Sequence, residues 1–281
     1  MRLEFGHALA QWVAERTGSR VLHIKGMAAQ AVLPVEDALS FDVDVLVHPD
    51  DFRTYVDTLA SLTTTELIDD GARSAEAHAV EIVSRGLEIS LDVHAHFPGF
   101  RADHDVVFDR LAARSAPVDF AGVSCACLDR VGLASLGVVH AARNAKGGRS
   151  ARLALQRWDL LDASEREQAV DLIGELGAAG AAHSVTGAHP EASRRDVALF
   201  LAYQRRARPT TLWLLTLLAT RGVRARWSIV RRAASTRSSM VTGSAPLAPQ
   251  ERRSRWRRLI AAGPPATREV VSILREVRGR E

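Results

Sequence analysis

The chain has 281 residues, 47% of them apolar and 25% charged, usage that fits a folded globular protein and excludes a disordered or collagen-like one. Its formal charge of +4 is unevenly spread: residues 1–100 carry 7 basic and 16 acidic groups, net −9, whereas residues 205–281 carry 18 arginines and 4 acids, net +14. The longest apolar run, Leu212 to Ala219, is broken by Thr216 and falls far short of the roughly 20 residues that cross a membrane, so no membrane association is expected.

In chain order, Leu3, Phe5, Leu9, Trp12 and Val13 trace a helical stripe over 3–16 that Gly18 ends. The segment lacks a continuous apolar centre and carries Glu4 and Glu15, so it does not read as a secretory signal. VLHIKG, 21–26, reads as a strand stopped by glycine, MAAQAVL, 27–33, as a helix, and PVEDALS, 34–40, as a loop. FDVDVLV, 41–47, alternates as a strand does, and Pro49 opens a helix to about Leu62. TELIDDG, 65–71, and AVEIVSR, 79–85, read as a hairpin pair. LEISLDVHAHF, 87–97, is a long strand broken by Pro98-Gly99, and PVDFAGVSCACL, 117–128, is a hairpin turning at Ala121-Gly122. From Asp129 the period becomes helical, with Leu133, Leu136, Val139 and His140 on one face and further helices over 151–162, 165–180 and 195–220. Residues 235–250 are rich in Ser, Thr and Pro and read as a linker, followed by a basic stretch over 251–260. Cys125 and Cys127 fit neither a disulfide framework nor a zinc spacing, and a cytoplasmic protein with reduced thiols is expected. Strands first and helices after predict an α+β fold followed by a mainly helical part, divided as 1–18, 19–128, 129–234 and 235–281.

Side chains two apart on a strand share a face, about 7 Å apart. Asp42 and Asp44 therefore point one way while Val43, Val45 and Val47 point the other; Asp92, His94 and His96 share a face in the same manner. Carboxylates gathered from two strands repel one another unless a cation lies between them, and hard oxygen donors suit Mg²⁺ or Mn²⁺. A wet sheet face gives the same alternation without any ion. Only two lysines occur, Lys25 and Lys146, and Lys25-Gly26 closes an apolar strand ahead of a helix, a place where backbone N–H groups and an ammonium can meet a phosphate. A snorkelling lysine beside an ordinary turn glycine is the alternative.

LHIKGMAAQAVL, then FDVDVLVHPDDF, then LEISLDVHAHF resembles the uncharacterised nucleotidyltransferase family of the polymerase-β-like superfamily over roughly 20–128. LGVVHAARN, 136–144, and LALQRWDLL, 153–161, extend the resemblance more weakly into the helical half. The resemblance implies a mixed sheet with helices on one side. It implies Asp42, Asp44 and Asp92 as a catalytic and metal-binding triad, and Lys25, Gly26, Met27, His94, His140 and Arg143 as nucleotide contacts. His140, Arg143, Trp158 and Asp159 are candidates for the cleft wall between the halves, with helix packing or a surface ion pair as the alternative for each. Two departures stand out: Met27 replaces the superfamily's usual serine after the glycine, and the 34–40 loop carries no arginine.

The activity so implied is Mg²⁺- or Mn²⁺-dependent transfer of a nucleoside monophosphate from an NTP such as ATP to a hydroxyl or phosphate, with pyrophosphate released. Family members occur beside genes for peptide natural products and surface polysaccharides, which implies a small-molecule, sugar or peptide acceptor. The basic C-terminal part, with Trp227 and Trp256 among arginines, raises RNA as an alternative acceptor. The altered Gly-Met loop raises a non-catalytic nucleotide-binding homologue as another. No oligomeric state is legible.

Overall fold

The computed structural model describes all residues except 37, 63–64, 69–78, 85–87, 145–146, 189–191, 221, 224–225, 228–248 and 280–281. The predicted hairpin turn after Ile68 and most of the predicted 235–250 linker lie outside the described residues, as does the Trp256 side chain.

The chain opens with α1 (Arg2–Thr17), which ends at Gly18 in a left-handed conformation. β1 (Val21–His23) leads through Lys25 into α2 (Gly26–Val32), and β2 (Asp42–Val47) into α3 (Phe52–Ala60). β3 (Thr65–Ile68), β4 (Ala79–Ser84) and β5 (Ile89–His94) follow, then α4 (His104–Ala112) and the β6 (Ser115–Phe120) and β7 (Val123–Leu128) hairpin. Seven helices complete the described chain: α5 (Arg130–Arg143), α6 (Arg149–Asp159), α7 (Ala163–Glu175), α8 (Ala179–Thr186), α9 (Arg194–Gln204), α10 (Pro209–Ala219) and α11 (Pro249–Arg278). The fold is α+β: one mixed sheet with flanking helices and a helical C-terminal part.

The sheet has seven strands in the order β3-β4-β5-β2-β1-β7-β6. β2–β5 and β1–β7 pair parallel, and the other neighbours pair antiparallel. Alternation gives each strand two characters. Val43, Val45, Val47, Ile89, Leu91, Val93, Val80 and Ile82 all turn to one face, where Val13 of α1 and Tyr55, Val56 and Leu59 of α3 bury them. Tyr55 anchors this layer by donating its hydroxyl proton to Ala10 O at 3.0 Å. Leu22 and Leu46 turn to the opposite face, where with Ile24 they join a larger core built with α4, α5, α7 and α8. Helices thus cover both faces, not the one side implied by the resemblance.

Several helices differ from their predicted bounds. The single helix expected over 165–180 is α7 and α8, separated at Gly177, which has a φ of 77°. α7 begins with a capping box between Asp162 and Glu165. The helix expected over 195–220 is α9 and α10, because Arg206 takes a φ of 53° and Pro209 starts a new helix at its first turn. α4 was not anticipated at all. α11 runs unbroken through Pro264 and Pro265, where tail and linker were expected. The apolar run in α10 packs into a third core with α9 and α11, through Leu215, Ala219, Val270, Ile273 and Val277.

Where α8 crosses α9 the backbones nearly touch. A Cβ on Gly180 would clash with the carbonyl carbon and oxygen of Asp196 and lie 2.8 Å from Val197 N. Neither partner is a flexible side chain, so Gly180→Ala must push two helices apart. The expected cost is about 1–3 kcal/mol, read as a thermal midpoint lowered by several degrees. An unchanged midpoint would show that the two helices are loosely apposed.

Candidate active site

The polar face of the sheet centre holds the candidate residues. Parallel pairing of β2 and β5 sets Asp44 directly opposite Asp92, with Asp42 opposite Ser90 and Leu46 opposite His94. All six side chains share one face by alternation. β4 adds Glu81 beside Asp92, and Ser90 donates its hydroxyl proton to Glu81 Oε1 at 2.7 Å.

Asp44 is the centre of the cluster and is almost fully buried, 4% exposed. Lys25 Nζ forms an ion pair with its Oδ1, and His94 Nε2 lies 3.1 Å from the same oxygen. The Lys25 ammonium also sits over the Phe97 ring, 5.9 Å from its centroid. Ligand atoms of Asp44, Asp92 and His94 all lie within 4.8 Å of one another, a spacing that could hold a metal ion. Asp42, the third carboxylate of the expected triad, stands on the same face at the strand's start, with Ser40 Oγ 3.4 Å from its Oδ1.

Gly26 is required twice. Its φ of 55° is left-handed, and a Cβ there would collide with Ser40 Oγ and approach Asp42 O to 3.4 Å. The turn that starts α2 is therefore clamped against the loop that starts β2.

Charge follows from this packing. Burial alone would raise the Asp44 carboxyl, but Lys25 and His94 outweigh it and hold the group well below the usual carboxylate range. Asp92 lacks such partners: burial, then the Asp44 charge, push it up to about 6, against a smaller opposing effect of Lys25. Asp42 is raised in the same way, by burial first and Asp44 second. His140 on α5 is lowered to about 4, by burial first and by Lys25 next, with Asp44 opposing. Its ring stands 6.3 Å from Phe97, so it lines the α5 side of the cluster.

The other predicted residues are not gathered here. Met27 packs against Phe120, Cys125 and Cys127 in a small apolar cluster. Arg143 lies over the Tyr203 ring at 5.1 Å. Trp158 is buried in the main core and Asp159 is exposed. His96 stacks on His104 with ring centroids 4.0 Å apart. Cys125 and Cys127 are free and buried, with both thiols pushed up to about 12 by burial. Trp227 is 67% exposed. No described helix is long and apolar enough to cross a membrane. Glu81 and Ser40 were missed. Alternation in AVEIVS places Glu81 on a polar face, but no local signal assigns that face to this cluster.

Behind the cluster, on the α1 side of the sheet, His7 Nδ1 and His23 Nδ1 lie 2.8 Å apart and both rings are fully buried. Burial lowers His7 from 6.5 to about 4 and His23 from 6.5 to about 3, the latter aided by repulsion from His7. Their folded-state values lie below the unfolded ones, so between pH 6.5 and 4 the unfolded chain binds more protons. Stability falls as pH drops through that window, by about 1.4 kcal/mol per pH unit for each histidine. His140 acts in the same direction. Asp92 acts in the opposite direction below pH 6, because its raised carboxyl takes up a proton first in the folded state. The net expectation is a urea midpoint that declines with acid, and a shallower decline in a His7→Leu/His23→Leu variant. Equal slopes in the two proteins would rule out the buried pair as the cause.

Among solved structures, the chain is similar to an antigenic nucleotidyltransferase-like protein from Paracoccidioides brasiliensis, at 13% identity and a TM-score of 0.40, over 60% of this chain and 85% of that one. No protein-family model and no curated protein matches the chain.

Proposed function

We propose that the chain is a divalent-metal-dependent nucleotidyltransferase of the polymerase-β-like kind. It moves a nucleoside monophosphate from an NTP to a hydroxyl or phosphate of a small-molecule, sugar or peptide acceptor. The observation that carries this reading is the β2–β5 register, which seats Asp44 beside Asp92 with Asp42 on the same face, next to the Lys25-Gly26 turn.

The donor set fits a hard cation: carboxylate oxygens from two strands and an imidazole, with ligand atoms of Asp44, Asp92 and His94 within 4.8 Å. Asp44 and Asp92, with Asp42 at the strand's start, would hold Mg²⁺ or Mn²⁺, and His94 would orient Asp44 through its shared oxygen. When bound, such an ion polarises the α-phosphate and supports ionisation of the acceptor. The chain's own residues do the rest. The Gly26 turn would offer its backbone N–H groups to the phosphates. Lys25 exchanges its Asp44 partner for a phosphate oxygen. Asp92, directly opposite Asp44 in the cluster, is placed to take a proton from an acceptor hydroxyl. Residues 19–128 act as the catalytic core and 129–234 as the wall that faces it.

Purified protein incubated with Mg²⁺ or Mn²⁺, each α-labelled NTP and pools of metabolites, peptides or RNA tests the reading. Label transfer to a metabolite, sugar or peptide with pyrophosphate release supports it, and transfer to RNA alone moves the acceptor to nucleic acid. The Lys25–Asp44 pair also suits a non-catalytic nucleotide-binding homologue, in which a lysine permanently neutralises the central carboxylate. Nucleotide binding without transfer from any NTP would select that second reading.

A further inference from the structure

The last part of α11, 264–278, has two unlike sides. Val270, Ile273 and Val277 turn inward, into the core shared with α9 and α10. Both acids of that stretch are held against the neighbouring helices. Glu269 accepts a hydrogen bond from the Thr211 hydroxyl of α10, and Glu276 pairs with Arg205 at the end of α9. What remains for the outer side is basic. Arg268, Arg275 and Arg278 are exposed, and none of the three has an acidic partner among the described residues.

Residues seven apart lie on one side of a helix, so Arg268 and Arg275 stand in line about 10.5 Å apart, with Arg278 about 4.5 Å further along the axis. An open depression of about 410 Å³ runs between the first two, lined by Thr267, Arg268, Val271, Ser272 and Arg275. The sequence of the same helix adds five arginines over 252–258. Charges strung along an axis suit a polyanion, whereas a compact ion calls for charges gathered at one point. Protein-binding faces are built around aromatic and apolar anchors, and this side exposes only one valine among the described residues, Val271 at 40%. Arginine forks and serine hydroxyls are the donors that hold a phosphodiester backbone. This part of α11 lies against α9 and α10, so it suits a flexible strand laid across it, not insertion into the groove of a duplex.

We infer that the outer side of α11 binds the phosphate backbone of a single-stranded nucleic acid through Arg268 and Arg275, without reading its sequence. None of these residues belongs to the carboxylate cluster, so binding here does not depend on the reaction proposed above.

The experiment is fluorescence anisotropy of labelled oligo-U, oligo-A and oligo-dT with the full chain, in chelator and without NTP, between about 50 and 200 mM salt. Wild type is expected to bind all three strands. Arg268→Ala/Arg275→Ala should bind about tenfold or more weakly at the low end of that range. Two lost phosphate contacts at about 0.7 each should also make the slope of log affinity against log salt shallower by about 1.4. Arg268→Lys/Arg275→Lys retains most of the binding. Arg16→Ala/Arg152→Ala, which removes the same charge from exposed positions on α1 and α6, retains all of it. The substituted residues are exposed, so the thermal midpoints should match wild type. Unchanged affinity in a folded Arg268→Ala/Arg275→Ala protein would overturn the inference, as would failure of wild type to bind any strand. Binding of polyglutamate instead, lost in the same variant, would give this side to an acidic polypeptide. Self-association at low salt without oligonucleotide binding, lost in that variant, would give it to the acidic first part of a second copy. Either result overturns the inference too. Since the assay needs neither NTP nor metal, its failure leaves the nucleotidyltransferase reading standing.

Discussion

Asp44→Asn is expected to abolish nucleotidyl transfer, with a loss on the order of 10³-fold or more in kcat/KM. The side chain keeps its shape, and its oxygen can still accept from Lys25 and His94, so the strand pairing around it should persist. What disappears is a carboxylate held ionised by Lys25 and His94. The change leaves the Lys25 ammonium without its counter-charge, which destabilises. It also removes the repulsion that Asp44 exerts on Asp92 and Asp42, which stabilises. These effects oppose one another, and a thermal midpoint within a few degrees of wild type is expected. A second readout is independent of turnover. The Asp92 carboxyl, followed by NMR, should titrate below its value of about 6 yet stay above the ordinary range, because burial is the larger cause of its shift. Retained transfer in a folded Asp44→Asn protein would remove the carboxylate cluster from the mechanism.

Lys25→Met should move two affinities in opposite directions. Lys25 and His94 converge on Oδ1 of Asp44, and Asp44 is also one of the residues whose spacing could hold a divalent ion. An ammonium there competes with the ion for the carboxylate and repels it by like charge. Two like charges near a protein surface interact with a few kcal/mol at contact distance, so its removal should tighten Mn²⁺ binding by about tenfold or more. The measurement is electron paramagnetic resonance of free Mn²⁺ at pH 8 without nucleotide, where Asp92 is ionised in both proteins. Methionine keeps an unbranched apolar stem in place of the lysine's, so packing changes little. Triphosphate affinity should fall in the same variant, since the phosphates lose a cation. Wild type would then bind metal and nucleotide cooperatively, because each helps release Lys25 from Asp44 for the other. Unchanged or weaker Mn²⁺ binding in Lys25→Met would show that the ammonium and the ion do not share the site.

Much of this arrangement is legible locally. The alternation in DVDVLV and ISLDVH assigns Asp42, Asp44 and Asp92 to polar faces, and the strands carry those faces as expected. Gly26 is legible as a turn residue. Its reason, a Ser40 packed where a Cβ would be, is not, because that contact depends on how the loop folds back. The register that places Asp44 opposite Asp92 is set by pairing across a distant part of the chain, and periodicity carries no register between strands. His94 meets Asp44 through the same pairing, and Glu81 reaches Asp92 through the β4–β5 pairing. In the helical half the period survives across breaks, so α7 with α8 and α9 with α10 read as single helices. Pro209 was a signal for the second break that the alanine- and leucine-rich pattern overrode. α4 had a cap-like Asp103 and apolar Val107, Phe108 and Leu111 at helical spacing, but it is short and flanked by strands. The buried pair of His7 and His23 could not be read at all, since each is a single polar residue amid apolar neighbours.

The parallel pairing of β2 with β5 also fixes when the site can exist. Between those strands the chain must complete α3 and the antiparallel β3–β4 pair, and β1 must await β7 for its second neighbour. Parallel, non-local pairings close late, because loop entropy is spent before their contacts form. The two carboxylates therefore come together only as the sheet centre assembles, and no early fragment of the chain holds both in place. During refolding, capture of a divalent ion by Asp44 and Asp92 should lag behind helix formation, so that metal binding reports the last step of assembly.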